Sequence, residues 1–239
     1  MGNRKLETCF SPALYEKEEY SNSIVIILDI LRASSAICTA FNNGAVAIIP
    51  VADVAEAKEY KSKGYLIAAE RDGFVLDFAD FGNSPFNFTR EKVEDKTIVY
   101  STTNGTGIIN LASSAYMIVV GSFLNIGPLT RWLINQERNI LLFCAGWKNR
   151  FNLEDTICAG AIAERLMSSN LYSTICDSTL ASMDLWSLAK PNLRAYIDKT
   201  AQRNRLKDKK LDECIDFCLT EDFTDKIPVI KNGILVNNI

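Results

Sequence analysis

Histidine is absent from this chain of 239 residues. A Ser-His-Asp triad, a phosphohistidine intermediate and a histidine-rich metal centre each need an imidazole, so the sequence excludes all three. Any hydrolytic chemistry must therefore use carboxylates, a metal ion, a thiol or a hydroxyl group.

Long apolar runs and an excess of positive charge are also lacking. The longest apolar runs, such as 24–28 and 140–145, are far too short to cross a bilayer, and the N-terminus lacks the apolar segment of a signal peptide. The formal net charge of −3 argues against a nucleic-acid-binding surface. We therefore expect a cytoplasmic protein with neither a membrane nor a nucleic-acid partner.

Paired cysteine motifs are missing as well. The seven cysteines are odd in number and include no CxxC pair, which favours reduced, buried thiols. Cys214 and Cys218 stand one helical turn apart, and without histidine or a second pair we interpret them as core residues rather than zinc ligands. A composition of 48% hydrophobic and 23% charged residues suits a core of ordinary size, and we interpret 1–239 as one domain.

What the sequence does contain is a regular alternation of strand and helix patterns. Strands are predicted at 23–28, 45–49, 65–69, 97–100, 116–120 and 139–143, with helices between them. This pattern predicts an α/β fold, layered α/β/α with a mostly parallel or mixed sheet. Segments 23–73 and 96–150 share the order β-α-β-α-β. We interpret them as two degenerate repeats, although the ordinary rhythm of an α/β fold gives the same pattern.

The C-terminal third is predicted to be mainly helical. An apolar helix is expected at 157–167, with Asp155 or Thr156 as its N-cap. A strand follows at 172–176, then mixed-charge helical sequence at 178–219 and a last strand at 233–236. We interpret the basic run 203–210 as a solvated loop.

The turn at 101–107, with the sequence STTNGTG, joins a predicted strand to a predicted helix. Its hydroxyls, amide and two glycines lie where free backbone N–H groups and the helix dipole favour an anion. Capping of the helix by Thr103 or Asn104 is the alternative interpretation. We predict a phosphate site here, with these substrate-binding residues: Thr102, Thr103, Asn104, Gly105 and Thr106.

Charged residues follow other predicted strands. In a parallel sheet the loops after the strands meet at one edge, where ligands bind. Acids beside a phosphate need an intervening cation, and oxygen ligands suit Mg²⁺. The candidate metal ligands are Asp29, Glu70, Glu154 and Asp155. The candidate catalytic residues are Asp29, Arg32, Asp155 and Arg150. Arg71 is a further candidate for binding the substrate, although any single arginine is more often part of a surface ion pair.

A thiol mechanism is the rival hypothesis. Cys144 and Arg150 have the C-x5-R spacing with which protein tyrosine phosphatases hold phosphate around a thiolate, but Phe151 replaces the hydroxyl residue that normally follows the arginine. A core cysteine at the end of a strand is the favoured interpretation of Cys144. A module that binds a phosphate ligand without turnover is the non-enzymatic alternative.

Several of these motifs, in this order, resemble the 2-phosphosulfolactate phosphatases. The matching segments are LDILRASS at 28–35, ER at 70–71, FGNSP at 81–85, STTNGT at 101–106, GS at 121–122, CAG at 144–146 and LEDT at 153–156. Weaker similarity at 212–218 and 227–228 extends the resemblance over nearly the whole chain. Alanines at 68–69, where a glycine is usual, and an insertion at 74–80 depart from the pattern.

The resemblance implies an α/β phosphatase that uses Mg²⁺ to hydrolyse 2-phospho-3-sulfolactate to 3-sulfolactate and phosphate. It adds Ser34, Ser35, Asn83 and Ser84 to the expected substrate-binding residues. The expected partner is this small anionic organophosphate, and a homo-oligomer is possible. We expect in-line attack of a water activated by Mg²⁺, with the turn 101–107 and the arginines stabilising the phosphate oxygens. Covalent catalysis by Cys144 or by a hydroxyl of the turn stays open.

Overall fold

The computed structural model describes residues 4–102 and 105–238. The strands, numbered along the chain, are β1 (Arg4–Cys9), β2 (Ile24–Leu28), β3 (Ala47–Pro50), β4 (Leu66–Arg71), β5 (Phe74–Val75), β6 (Thr97–Ser101), β7 (Met117–Gly121), β8 (Ile140–Cys144), β9 (Tyr172–Ser173), β10 (Pro228–Lys231) and β11 (Ile234–Asn237). The α-helices are α1 (Ala33–Asn42), α2 (Val54–Ser62), α3 (Arg90–Val93), α4 (Gly105–Leu111), α5 (Ile126–Ile134), α6 (Leu153–Met167), α7 (Asp177–Ala189), α8 (Leu193–Ile197), α9 (Ala201–Asp208) and α10 (Ile215–Cys218).

Within the described residues, eleven strands form one mixed sheet in the order β5-β4-β6-β3-β11-β10-β7-β2-β8-β1-β9. Strands β3, β6 and β4 are parallel to one another, and so are β7, β2, β8, β1 and β9. The hairpin of β10 and β11 joins the two groups through antiparallel pairs. The predicted α/β class with a mostly parallel or mixed sheet is confirmed, although the two parallel groups run in opposite directions along the ladder.

The two segments interpreted as repeats are interleaved in this sheet. The first strand of segment 23–73, β2, lies between β7 and β8 of the other segment. The first strand of segment 96–150, β6, lies correspondingly between β3 and β4. Each segment therefore contributes one strand to the parallel group formed by strands of the other segment. The interpretation of 1–239 as a single domain stays a prediction.

The central hairpin of β10 and β11 contains a strand that the sequence analysis missed, since only a strand near 233–236 was predicted there. Asn232 and Gly233 form its turn with φ of 52° and 81°. Two successive residues of positive φ make a turn of type I′, which matches the twist of the flanking strands. The dipeptide Asn-Gly between apolar runs was therefore the signal that identifies this hairpin.

Strand β2 is buried on both faces. Ile24, Ile26 and Leu28 belong to one apolar cluster, while Val25 and Ile27 belong to another. The second cluster also contains residues of α1 and of β6, a strand of the other parallel group. The two groups therefore pack against a common core.

Three predictions for the C-terminal third are wrong. Helix α6 begins at Leu153, and its N-cap residue is Asn152. Glu154 and Asp155 therefore lie inside the first turn, and the prediction that Asp155 or Thr156 caps a helix beginning at 157 is wrong. The strand β9 is only two residues long because the chain enters α7 at Asp177. The basic run 203–210, expected to be a solvated loop, lies mostly in α9. None of the helices in the described ranges is long and apolar enough to cross a membrane.

Helices α6 and α7 are in close contact at Gly160. A Cβ atom built on Gly160 would lie 1.9 Å from the carbonyl oxygen of Ser182. Gly160→Ala should therefore lower the free energy of unfolding by about 1 to 3 kcal/mol, the usual cost of overpacking, although alanine is the better helix former. In urea denaturation, this change should appear as a lower midpoint concentration of urea with an unchanged m-value.

The matched control is Gly107→Ala in α4, where an added Cβ meets nothing within 4 Å. There the propensity of alanine should act alone and leave stability unchanged or raise it by up to about 1 kcal/mol. If both variants are stabilised alike, the close contact of α6 with α7 is not a constraint on this fold.

Candidate active site

A small cavity lined by both polar and apolar residues lies where the loops after β2, β4 and β6 meet helix α9. This inner cavity has a volume of about 40 Å³. Its polar lining residues include Asp29, Arg32, Glu70, Asn83, Thr102 and Arg205. Loops that follow strands of both parallel groups therefore converge on one site, as the sequence analysis expected, although the strands do not form a single parallel sheet.

Arg32 is a desolvated cation in the wall of this cavity. Its side chain is 3% exposed, and its guanidinium donates to Asn83 Oδ1 at 2.7 Å and to the carbonyl of Leu211 at 3.4 Å. Both acceptors are neutral, and none of the described carboxylates lies within ion-pair distance. A buried charge without a counter-ion is unfavourable, so Arg32 is suited to receive an anion from the cavity.

The Cys214 thiol also lies against Arg32. A hydrogen bond with Cys218 and, secondarily, the charge of Arg32 lower the pKa of Cys214 to about 7. All seven thiols of the chain are free, and Cys214 and Cys218 are buried in the core as predicted. The Cys214 thiol therefore belongs to the packing behind Arg32.

Asp29 enters the cavity from the end of β2. Its Oδ1 accepts from the backbone N–H of Ala33 at 3.2 Å, so one oxygen is oriented by the first turn of α1. Burial, the charge of Asp155 and, less strongly, that of Glu70 raise the pKa of Asp29 to about 8. In the absence of a cation this carboxyl is therefore largely protonated near neutral pH.

Glu70 supplies a second carboxylate to the inner cavity from the end of β4. It is buried, and its Oε2 accepts from the backbone N–H of Gly73 at 2.5 Å. Asp29 and Glu70 thus line the cavity together with Arg32. The site combines two oxygen-donor acids with a cation, which suits a metal-phosphate pair.

Asp155 holds the loops of the site from behind. Its oxygens accept from the backbone N–H groups of Ile30 at 2.8 Å and Gly146 at 3.1 Å, and from Asn152 Nδ2 at 2.9 Å. Burial and the charge of Glu154 raise its pKa to about 8. Since its oxygens are engaged by these donors, Asp155 acts as a positioning residue for the loop that carries Asp29.

A larger outer cavity of about 430 Å³ adjoins the inner one. Trp147, Gln202 and Arg205 line both cavities and so form the partition between them. Glu154 and Arg150 line the outer cavity. A ligand too large for the inner cavity would have to pass this partition and extend into the outer cavity.

Glu154 is 1% exposed, and its Oε1 accepts from Asn152 Nδ2 at 2.9 Å. Its Oε2 has no hydrogen-bond partner among the described residues. Burial raises the pKa of Glu154 to about 7, and the nearby charge of Arg205 opposes the shift. Glu154 therefore faces a different space from Asp29 and Glu70, although all three were predicted to share a metal.

Arg150 lies on a tight turn at the mouth of the outer cavity, and its side chain is exposed. The backbones of Trp147 and Arg150 exchange two hydrogen bonds, of 2.9 and 3.0 Å. Gly146 precedes them with φ of 61°, and a Cβ there would lie 2.2 Å from the carbonyl oxygen of Arg150. Glycine is therefore required for the turn that positions Trp147.

The rival thiol site is not supported by this geometry. Cys144 is fully buried at the end of β8, and burial raises its pKa well above the ordinary value. Arg150, its presumed partner, points into the outer cavity. A buried, neutral thiol is a poor nucleophile.

The two predicted serines of α1 serve the loop rather than the cavity. Ser34 Oγ accepts from the backbone N–H of Asp29 at 2.9 Å and donates to the carbonyl of Ile27 at 3.3 Å. Ser35 Oγ donates to the carbonyl of Ile30 at 2.9 Å. These bonds fix the turn from β2 into α1, which places Asp29.

Arg71 and Ser84 also make their contacts within the protein. Arg71 donates to the carbonyl of Ala52 at 3.0 Å and to Ser101 Oγ at 2.9 Å. Ser84 donates to Glu213 Oε1 at 3.1 Å. Neither side chain is brought to the inner cavity, whereas their predicted companion Asn83 is.

The predicted phosphate turn is only partly described. Thr102 lines the inner cavity, and α4 begins at Gly105. Thr103 and Asn104 lie outside the described residues, as does the side chain of Thr106. The hypothesis of a phosphate cradle at this turn stays a prediction.

Among the residues that the structure describes, no three Asp, Glu, Cys or His side chains are grouped closely enough to hold a metal ion by themselves. Mg²⁺ commonly uses one or two carboxylates and takes its other ligands from water and substrate phosphate. Asp29 and Glu70 fit that donor set, because both line the cavity that also presents Arg32.

The sequence did not predict the residues on the opposite side of the site, which belong to α9 and to the loop after β8. Gln202, Arg205 and Lys209 line the inner cavity, and so does Trp147. Lys209 Nζ donates to the carbonyl of Asp72 and lies 5.9 Å from the centre of the Trp147 ring. The basic run 203–210 was a signal for Arg205 and Lys209 only, and such a run does not distinguish a cavity wall from a solvated surface.

The chain matches a family model described as 2-phosphosulpholactate phosphatase over residues 9–233. Three relatives, each named probable 2-phosphosulfolactate phosphatase, agree with it. The protein of Thermotoga maritima is 39% identical over 212 residues, covering 88% of this chain and 90% of that protein. The protein of Caldanaerobacter subterraneus subsp. tengcongensis is 36% identical over 215 residues, covering 88% and 89%. The protein of Clostridium perfringens is 34% identical over 235 residues, covering 96% and 94%.

Matches of this length confirm the resemblance that the motifs indicated, and the chain belongs to the 2-phosphosulfolactate phosphatase family.

Proposed function

We propose that this chain hydrolyses the phosphate ester of 2-phospho-3-sulfolactate, releasing 3-sulfolactate and phosphate. The observation that carries the proposal is the inner cavity, where the desolvated Arg32 shares a wall with the acids Asp29 and Glu70. The family to which the chain belongs supplies the substrate. A cytoplasmic location and assembly into a homo-oligomer stay predictions.

We further propose that Mg²⁺ is the cofactor and that Asp29 and Glu70 would hold it. Bound there, the ion would neutralise charge on the phosphate and favour ionised over protonated carboxyls. Two supports come from the structure. The pKa of Asp29 is raised by burial and by neighbouring acids, and Arg32 alone is a small counter-charge for a phosphate dianion beside two carboxylates.

The residues of the chain would then act mainly by binding and orientation. Arg32 would donate to phosphate oxygens and stabilise the charge on them as the bond to the ester oxygen breaks. Asn83 holds the guanidinium of Arg32 in place through its 2.7 Å hydrogen bond. Asp155 fixes the loop that carries Asp29 and Arg32. The small cavity leaves room for few waters, which strengthens these electrostatic interactions.

Phosphate release from 2-phosphosulfolactate should depend on Mg²⁺ and on Asp29. EDTA should abolish the activity and added Mg²⁺ should restore it, while Asp29→Asn should lower kcat/KM by at least about 100-fold because a metal ligand is lost. A colorimetric assay of released phosphate measures both effects. Asp225→Asn, at an exposed acid outside the cavities, is the matched control and should keep full activity. Full activity of the wild type in EDTA would contradict the metal role.

The metal-free protein should lose stability as the pH rises from about 5 to about 8. Asp29 and Asp155 ionise in the folded protein at a pKa of about 8, whereas in the unfolded chain they ionise near the ordinary aspartate pKa of 3.8. The folded state therefore binds more protons in this window, and the stability they contribute is lost as the pH rises. Calorimetry in EDTA measures the fall in Tm.

At the upper end of the same pH range, Mg²⁺ should raise the Tm, because it binds the ionised carboxylates of the folded state. Asp29→Asn should show a shallower fall in EDTA and a smaller response to Mg²⁺. A wild-type Tm that is independent of pH and of Mg²⁺ would speak against a desolvated acid cluster that a cation neutralises.

Cys144→Ala should keep kcat within about tenfold of the wild type, because a buried thiol contributes to packing rather than to bond formation. Removing a true thiolate nucleophile would cost several orders of magnitude. Steady-state phosphate release measures kcat, and circular dichroism checks that the variant is folded. A loss of that size in a folded variant would restore the thiol mechanism.

A further inference from the structure

The inner cavity is too small for the whole proposed substrate. Its volume of about 40 Å³ is room for only a few water molecules. A phosphate placed beside Asp29 and Arg32 would leave the rest of a molecule with two further acid groups outside. The adjoining space is the outer cavity of about 430 Å³, beyond the partition of Trp147, Gln202 and Arg205. The remote end of a substrate bound in this way would therefore extend past the partition.

Arg205 is held in the partition as a half-buried cation. Its Nε donates to Gln202 Oε1 at 2.8 Å, and its guanidinium carbon lies 4.8 Å from the centre of the Trp147 ring. No described carboxylate lies within ion-pair distance of it. Gln202 in turn donates to the carbonyl of Leu31 at 2.7 Å, next to Arg32. The guanidinium is therefore oriented in advance, and its remaining N–H groups are available at the boundary of the two cavities.

Other basic residues near the site are engaged or exposed. Arg203, two residues before Arg205 on α9, forms an ion pair with Asp198 at 2.9 Å. Lys209 donates to the carbonyl of Asp72, and Arg150 is exposed at the mouth of the outer cavity. A guanidinium stacked on an aromatic ring is weakly hydrated and presents planar paired donors, which suits a large, weakly hydrated oxyanion such as a sulfonate.

We propose that Arg205 binds the sulfonate of the substrate at the partition while the phosphate occupies the inner cavity. The inference rests on the proposed function, from which it takes the substrate. In this arrangement a residue of α9 discriminates between sulfonated and unsulfonated esters. The residues that act on the phosphate are different ones and lie on the loops of the inner cavity.

A simpler role for Arg205 is to offset the charge of the buried Glu154, whose pKa it lowers. The two roles differ in their dependence on substrate. Loss of a counter-charge to Glu154 would shift the pH profile by the same amount for every ester. Loss of a sulfonate contact would affect only the ester that carries a sulfonate.

The test compares 2-phosphosulfolactate with 2-phospholactate, which has a methyl group in place of the sulfomethyl group. In Arg205→Ala we expect kcat/KM for the sulfonated ester to fall by about 10- to 100-fold, mainly through KM, as for loss of a half-buried charge pair. The value for 2-phospholactate should stay within about threefold, with an unchanged pH profile. Arg205→Lys, which keeps the charge without the paired donors, should recover part of the preference.

Arg203→Ala is the matched control on the same helix and should leave both esters unaffected. Equal losses on the two esters, or a pH profile that shifts for both, would overturn the proposal in favour of the Glu154 role. An unchanged preference in a folded Arg205→Ala variant would overturn it as well. Thermal unfolding of each variant, run in parallel, verifies that the compared proteins are folded.

Failure of the proposed function has a different signature. If the wild type releases phosphate from neither ester, calorimetric titration with 3-sulfolactate and with lactate still tests the sulfonate site directly. Binding of 3-sulfolactate that is weakened by Arg205→Ala and kept by Arg203→Ala supports the site without the activity. Binding that is equal in all three proteins, or absent in the wild type, overturns it.

Discussion

The carboxylate of Asp155 is the contact on which the geometry of the site depends. It accepts from the backbone N–H groups of Ile30 at 2.8 Å and Gly146 at 3.1 Å, so it joins the loop after β2 to the loop after β8. The first loop carries Asp29, and the second carries Trp147. Hydrogen bonds from backbone groups to an acid are strong and well directed, which keeps the two sides of the cavity in register. The chemistry and the partition are thereby positioned by one buried side chain.

Around this contact lie buried ionisable groups whose charged forms are energetically unfavourable without a ligand. Arg32 is buried against neutral acceptors, and the pKa of Asp29 is raised by burial and by neighbouring acids. Both features cost folding free energy, and the proposed binding of a phosphate with a divalent cation would relieve both together. Strain of this kind is typical of functional sites, where groups oriented in advance need little rearrangement during the reaction.

The sequence was sufficient for the features that depend on local pattern. β-branched runs mark the central strands, and Asp53, which precedes the first turn of α2, caps that helix by accepting from the Ala55 N–H at 2.7 Å. The strand order was not predictable, because the interleaving of β2 and β6 with strands of the other segment depends on long-range pairing. Asp29 after β2 and Glu70 at the end of β4 nevertheless line one cavity, although the two strands belong to parallel groups of opposite direction.

The residues of the partition could not be predicted from the sequence. Nothing in the run 203–210 indicates that Arg205 faces Trp147 while Arg203 faces Asp198, because that difference arises from how α9 docks against the strand-end loops. The docking bond from Gln202 to the carbonyl of Leu31 joins residues far apart in the chain. In the proposed arrangement, the residues that act on the phosphate lie on loops fixed by the sheet, whereas the residue that binds the rest of the substrate lies on a separate helix. A helix of this kind can change its surface residues without disturbing Asp29 or Arg32, so substrate preference can vary within one fold while the reaction is retained.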